Sequence, residues 1–167
     1  MLTAFQLRVA RDILGLGLRE FGQYLNVSRT TVFKWEHQPN LSWIHNATKV
    51  KNVMLVKPFF EENGIVFPNE HTISLKSDIV PTPSTGALTR FQLRGARTAA
   101  HLTQEKLSEY LMIPRIVLNY LERQKNLTYL NTTPKKVDEL LIKNTFKEHG
   151  IVFPNDFSIS LRQNNLD

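Results

Sequence analysis

The chain has 167 residues, 41% of them hydrophobic, which is enough apolar material for the core of one ordinary domain or of two small ones. It contains no cysteine, which excludes disulfides and thiolate metal sites and removes any demand for an oxidising compartment. A formal net charge of +6 favours polyanionic partners, because each Lys or Arg near a phosphate releases condensed counterions, but charge becomes informative only when a motif gathers it on one face.

Residues 1–10 carry Arg8 and lack the long apolar core of a signal peptide, and no later stretch approaches the roughly 20 apolar residues of a membrane span. Neither export nor membrane insertion is expected, and the expected location is cytoplasmic. Apolar residues then recur at intervals of three and four, as Leu7, Ala10 and Leu14, then Phe21 and Leu25, then Val32 and Trp35. This spacing predicts short amphipathic helices near 4–14, 18–25, 29–37, 41–46 and 48–62. Pro58 falls inside the last of them, where it removes an amide donor and crowds the preceding turn, so a kink is expected near residues 56–57. Two β-prone runs, 65–67 and 72–75, flank a Pro-Asn turn and read as a small hairpin. The segment SDIVPTPSTGA (77–87) is rich in Pro, Ser, Thr and Gly and reads as a linker.

The pattern then starts again. Sliding the chain by 86 residues aligns Phe5-Gln6-Leu7-Arg8 with Phe91-Gln92-Leu93-Arg94 and continues without a gap to Leu75 and Leu161, with about 28 of some 71 positions identical. The near-copies FEENGIVFPN (60–69) and FKEHGIVFPN (146–155) close the match. Five helices are therefore expected again 86 residues on, with a hairpin over 151–153 and 158–161. In the second copy Thr133 and Pro134 suit the cap and first position of the last helix, and Gly150 suits its end. The period is too long for a solenoid, so the expected organisation is two small domains, 1–76 and 88–167, joined by the linker 77–87. An isolated hairpin is marginal and its open edge seeks a partner, so the four strands are expected to combine in one sheet, between the domains or between chains of a homodimer.

Residues 16–36, LGLREFGQYLNVSRTTVFKWE, contain a helix over 18–25, a tight turn at Asn26 and Val27, and a second helix beginning at Ser28, whose hydroxyl can cap the exposed amides. Val27, Val32 and Trp35 are expected to face inward while Arg29, Thr30, Thr31 and Lys34 project outward. This stretch resembles the helix-turn-helix of the Xre family, which includes the lambda repressor and Cro. The resemblance implies a mainly α fold of two tandem lambda-repressor-like five-helix domains, each followed by a short β-hairpin, and a bacterial, phage or mobile-element origin. It further implies that Arg29, Thr30 and Lys34 touch base edges while Ser28 and Thr31 lie closer to phosphates. The chemistry suits that role, since Arg or Lys donates to guanine O6 and N7 and a threonine methyl packs on a thymine methyl.

The second copy, LTQEKLSEYLMIPRIVLNYLE (102–122), departs from the first. Gln104 stands where the family commonly has a glutamine that reaches the DNA backbone, whereas the first copy has Leu18 there. Arg115 is retained, but Ile116, Val117 and Tyr120 replace Thr30, Thr31 and Lys34. Arg115, Ile116 and Tyr120 are candidates for a second reader, and the apolar Ile116-Val117 face is equally a candidate contact for a protein partner. Two pairs survive the divergence, Arg11 with Glu36 and Arg97 with Glu122. In the resembled family an arginine at this place in the first helix pairs with a glutamate at the end of the reading helix, which implies a structural contact here.

Other chemistry finds no support. His37, His45, His71, His101 and His149 show no metal-ligand spacing, Gly15 and Gly17 follow no strand, and no Ser–His arrangement stands out. No cofactor, metal or enzymatic activity is expected. Trp35, Trp43, Phe59, Phe60, Phe67, Phe146 and Phe153 are expected in the core, since their helical spacing favours packing over base stacking. The leading expectation is a sequence-specific regulator of transcription, most simply a repressor, that binds double-stranded DNA mainly through helix 29–37. The alternative is a protein-binding adaptor or antitoxin-like partner that uses the second copy's surface.

Overall fold

The computed structural model describes residues 1–44, 53–76 and 86–163. The chain is mainly helical with short antiparallel strands, and it divides into two compact units, Met1–Lys76 and Ser77–Asp167. No described helix is long and apolar enough to cross a membrane.

In the first unit, α1 (Ala4–Ile13) starts at a capping box. The Thr3 hydroxyl accepts the Gln6 amide at 3.3 Å, and the Gln6 side chain accepts the Thr3 amide at 3.1 Å. Phe5, Leu7, Val9 and Ala10 are fully buried, so α1 is the axis of the core. Around it lie α2 (Leu18–Tyr24), α3 (Arg29–Glu36), α4 (Val53–Glu62) and a hairpin of β1 (Ile65–Asn69) and β2 (Thr72–Leu75). Phe21 of α2 stacks on Phe60 of α4 at 5.3 Å, and Phe60 meets Phe67 of β1 edge-on at 6.2 Å. Pro58 lies within the continuous helix α4. The part of the predicted helix 48–62 before Val53 lies outside the described residues.

The second unit repeats this order with α5 (Arg90–Ala99), α6 (Gln104–Leu111), α7 (Arg115–Glu122), a short 3₁₀ turn (Leu130–Thr132), α8 (Glu139–Glu148), and a hairpin of β3 (Ile151–Val152) and β4 (Ser158–Leu161). Gly150 ends α8 with φ of 74°, the left-handed value that glycine adopts without a Cβ clash. In both hairpin turns the asparagine after the proline caps the bend: Asn69 Oδ1 accepts the His71 amide at 3.1 Å, and Asn155 Oδ1 accepts the Phe157 amide at 2.9 Å.

Three expectations are corrected. The predicted helix 41–46 is an extended strap as far as residue 44, beyond which the described residues stop, and its counterpart 127–132 yields only the 3₁₀ turn. The reason lies at the start of α1. The first amides of a helix have no partner within it, and the strap supplies carbonyls: Asn40 O accepts Phe5 N at 3.0 Å and Ser42 O accepts Ala4 N at 2.9 Å. Asn126 O and Thr128 O do the same for Phe91 and Arg90. Second, Thr133 and Pro134 do not start α8. The Thr133 hydroxyl donates to Leu130 O, and the cap is Asp138, whose carboxylate accepts Leu141 N at 3.0 Å. Third, Trp43 is not a core residue; it stands 40% exposed on the strap.

The turns between α2 and α3 and between α6 and α7 are alike but differently made. Gly22 is required by close approach, since a Cβ there would lie 2.8 Å from Val27 O. The second unit has Ser108 at this place, and its turn opens slightly, with Ile113 N to Ser108 O at 3.1 Å against Val27 N to Gly22 O at 2.8 Å. Asn26 occupies the left-handed region at φ 53°, which asparagine tolerates; Met112 sits there at φ 52° with its side chain 83% exposed. Replacing Met112 by Asn should therefore stabilise the second unit by about 1 kcal/mol, because strain is relieved and almost no buried surface is lost. A raised midpoint in denaturant titration is the expected result.

Candidate nucleic-acid interface

Helix α3 is held from behind by charge. Arg11 donates from Nε to Glu36 Oε1 at 2.6 Å and from Nη2 to Oε2 at 2.9 Å, and its remaining nitrogen donates to Leu16 O in the turn before α2. One guanidinium thus ties α1, that turn and the end of α3 together. Glu36 is 2% exposed and Arg11 is largely covered, so the pair is bidentate and mostly desolvated. The second unit builds the same clamp. Arg97 binds Glu122 at 2.5 and 3.0 Å and donates to Leu102 O at 2.9 Å.

A second arginine completes each clamp, and the two units draw it from different positions. Arg8 donates to Glu36 O at 2.8 Å and to Asn40 Oδ1 at 2.8 Å. In the second unit Arg90, one helical turn earlier in register, donates to Glu122 O at 2.7 Å and also to Asn126 Oδ1. Residues four apart share a helix face, so either position reaches the same carbonyl. Burial lowers the Arg8 pKa to about 10; Glu36 opposes that shift and Arg11 adds to it, and the group stays charged at neutral pH.

With its back pinned, α3 buries Val32 and Trp35, while Val27 in the preceding turn is half-buried. Ser28 caps the helix: its hydroxyl accepts Thr31 N at 3.1 Å and lies 2.9 Å from the Thr31 hydroxyl. Arg29, Thr30 and Lys34 are exposed, and neither Arg29 nor Lys34 has an ion-pair partner among the described residues. Two further side chains share this face. Phe33 is 45% exposed and stacks on His37 at 3.8 Å, and the His37 ring nitrogen Nδ1 lies 2.8 Å from Phe33 O. Their spacing from Thr30, at three and seven residues, was the sequence signal that would have placed them there.

The corresponding face of α7 differs in substance. Arg115 and Arg123 are exposed, Ile116 is 78% exposed, and Val117 and Tyr120 are half-buried. Its cap is Pro114, which offers no side-chain acceptor. Gln104, expected at a DNA backbone, is turned onto the clamp: its Nε2 donates to Glu122 Oε2 at 2.7 Å and its Oε1 accepts from Asn119 at 3.4 Å.

Each unit also has a cleft beside its hairpin, about 200 Å³ in the first and about 210 Å³ in the second, at equivalent places. Their polar walls serve the fold. Gln6 Nε2 donates to Thr72 O at 3.0 Å and Gln92 Nε2 to Asn155 O at 2.7 Å, Lys143 donates to Gly86 O, and the Tyr129 hydroxyl donates to Asp156 at 2.9 Å, which raises its pKa. Among the described residues no cluster of three or more His, Asp or Glu side chains could hold a metal ion. No protein-family model, no curated protein and no solved structure matches the chain.

Arg11→Ala should destabilise the first unit by about 3–5 kcal/mol, since it leaves Glu36 charged, buried and unpaired. Hydrogen exchange should show lost protection confined to the first unit; unchanged exchange would remove the clamp's structural role. Arg8→Ala should destabilise more mildly, and the double change Ala4→Arg/Arg8→Ala should recover part of that loss in thermal melts, because it copies the geometry of Arg90.

Proposed function

We propose that the chain is a sequence-specific double-stranded DNA-binding regulator, with two tandem helix-turn-helix domains of the Xre, lambda-repressor-like kind and α3 as its principal reading helix. The observation that carries this reading is the contrast between the two sides of α3. Its inner side is fixed by Arg11, Arg8, Val32 and Trp35, and its outer side presents Arg29, Thr30 and Lys34 with Ser28 and Thr31 at its start. A rigidly held helix whose exposed face is cationic and rich in hydroxyls is what major-groove readout needs, because base discrimination depends on placing donors to within a few tenths of an ångström. The net charge of +6 supports it through the phosphate contribution. The proposal includes a role as a cytoplasmic repressor and a target of two half-sites, about one helical turn or roughly 34 Å apart if one chain spans both. A homodimer through the hairpins is the other way to supply two readers.

The rival, a protein-binding adaptor or antitoxin-like partner, draws on Ile116 and Met112, both strongly exposed in the second unit. Selection from random duplexes at physiological salt separates the two. The regulator should enrich a defined site, with Arg29→Ala/Lys34→Ala weakening binding by about 10- to 100-fold and reducing the salt slope by about 1 to 2. Absence of any enriched sequence defeats the regulator reading. An enriched site untouched by Arg115→Ala/Tyr120→Ala would assign DNA reading to the first unit alone.

A further inference from the structure

Resting on that reading, we propose that α7 reads thymine C5-methyl groups through Ile116, so that the two units recognise unlike half-sites, the second of them thymine-bearing. Ile116 is the second residue of α7 and replaces Thr30, which lies on the exposed face of α3 in the first unit. At 78% exposure its side chain contributes almost nothing to the core, so folding does not account for an isoleucine there. A β-branched side chain has few rotamers, so little entropy is lost when its methyls are ordered against a flat apolar target.

The surroundings of Ile116 match a polyanion better than an apolar protein surface. Arg115 opens α7 and Arg123 caps its end, both exposed, and the helix's one carboxylate, Glu122, is turned inward and held by Arg97 and Gln104. The exposed face of α7 is therefore cationic around an apolar centre. Ile116 is the one exposed large apolar side chain on α7, with Tyr110, Met112, Leu127 and Leu140 standing on other segments, so α7 alone falls far short of the roughly 800 Å² per partner of a standard protein interface. Of the first unit's polar readers only Arg29 has an equivalent here, Arg115. Asn119, which has the amide suited to adenine, is drawn back to Gln104, and Tyr120 is half-buried. Of the common base-edge contacts, α7 retains a cation at Arg115 for guanine and an apolar group for the only methyl that the major groove displays, that of thymine.

The test uses the full chain and the site it selects from random duplexes. Ile116→Ala should weaken the preference for thymine in one half only and so identify the half under α7. Replacing thymine by uracil at single positions in that half removes one methyl and nothing else, and should weaken wild-type binding by about fourfold per methyl contacted. The same replacement should leave Ile116→Ala binding unchanged, with circular dichroism showing that this variant is folded, and replacements in the other half should not depend on residue 116. If a site is enriched but every uracil duplex binds as tightly as its thymine parent, Ile116 reads no methyl and this proposal falls while the regulator reading stands. If selection and uracil replacement are both insensitive to Ile116→Ala, the face serves something other than DNA. If no site is enriched at all, the regulator reading itself fails.

Discussion

Each unit depends on a buried ion pair between its first and third helices. Arg11 with Glu36, and Arg97 with Glu122, do more than join two side chains, because each guanidinium also reaches a carbonyl in the turn before the second helix. Three segments are indexed to one planar group. A buried pair of this kind contributes little net stability compared with apolar packing, but it is costly to break and directional, and direction is what the outer face of α3 needs. An apolar contact would hold α3 near α1 without fixing its rotation. The second arginine, Arg8 or Arg90, adds a lock on the backbone of the same glutamate and on the asparagine that follows it.

The duplication supplies a control within one molecule. Roles in the scaffold persist even where another residue fills them: Arg8 has its counterpart in Arg94, yet in the second unit Arg90 makes the bonds to the glutamate carbonyl and the asparagine. Gln6 and Gln92 likewise cap the first helix of their unit and bind backbone carbonyls of the hairpin at once, although 63 to 66 residues separate the partners. Positions on the outer faces of α3 and α7 have few contacts with the rest of the fold and have drifted in chemistry. Thr30, Phe33 and Lys34, all exposed, stand opposite Ile116, Asn119 and Tyr120, of which only Ile116 is fully exposed, and none of the six lies in the buried core.

The cores have diverged within the same geometry. Phe21 and Phe59 of the first unit, which cluster with Phe60, face Leu107 and Thr145 as their counterparts, while Phe60 with Phe67 and Phe146 with Phe153 keep the same edge-on contact near 6 Å. Apolar positions accept substitution when volume is redistributed, so identity is lost there sooner than at the clamp, where only arginine offers a bidentate fork and only an acid of the right length meets it.

The sequence by itself determined the duplication, the helical class, the first three helices of each unit to within two residues, and the inward residues Val32 and Trp35, all of which follow from local periodicity, caps and spacing. The partners of the clamp, 25 residues apart, are implied only by the family resemblance. Only the tertiary structure decided what happens at residues 41–44 and 127–132, whose apolar spacing looks helical, because their carbonyls are claimed by the free amides of a helix some 37 residues away. The tertiary structure also decided that Asp138 rather than Thr133 starts α8, that Gln104 turns onto Glu122, and that Phe33 stands outside beside His37. In each of these cases the winning partner is distant in sequence or one of several local candidates, and the hydrogen bond that decides is visible only once the chain has folded back on itself.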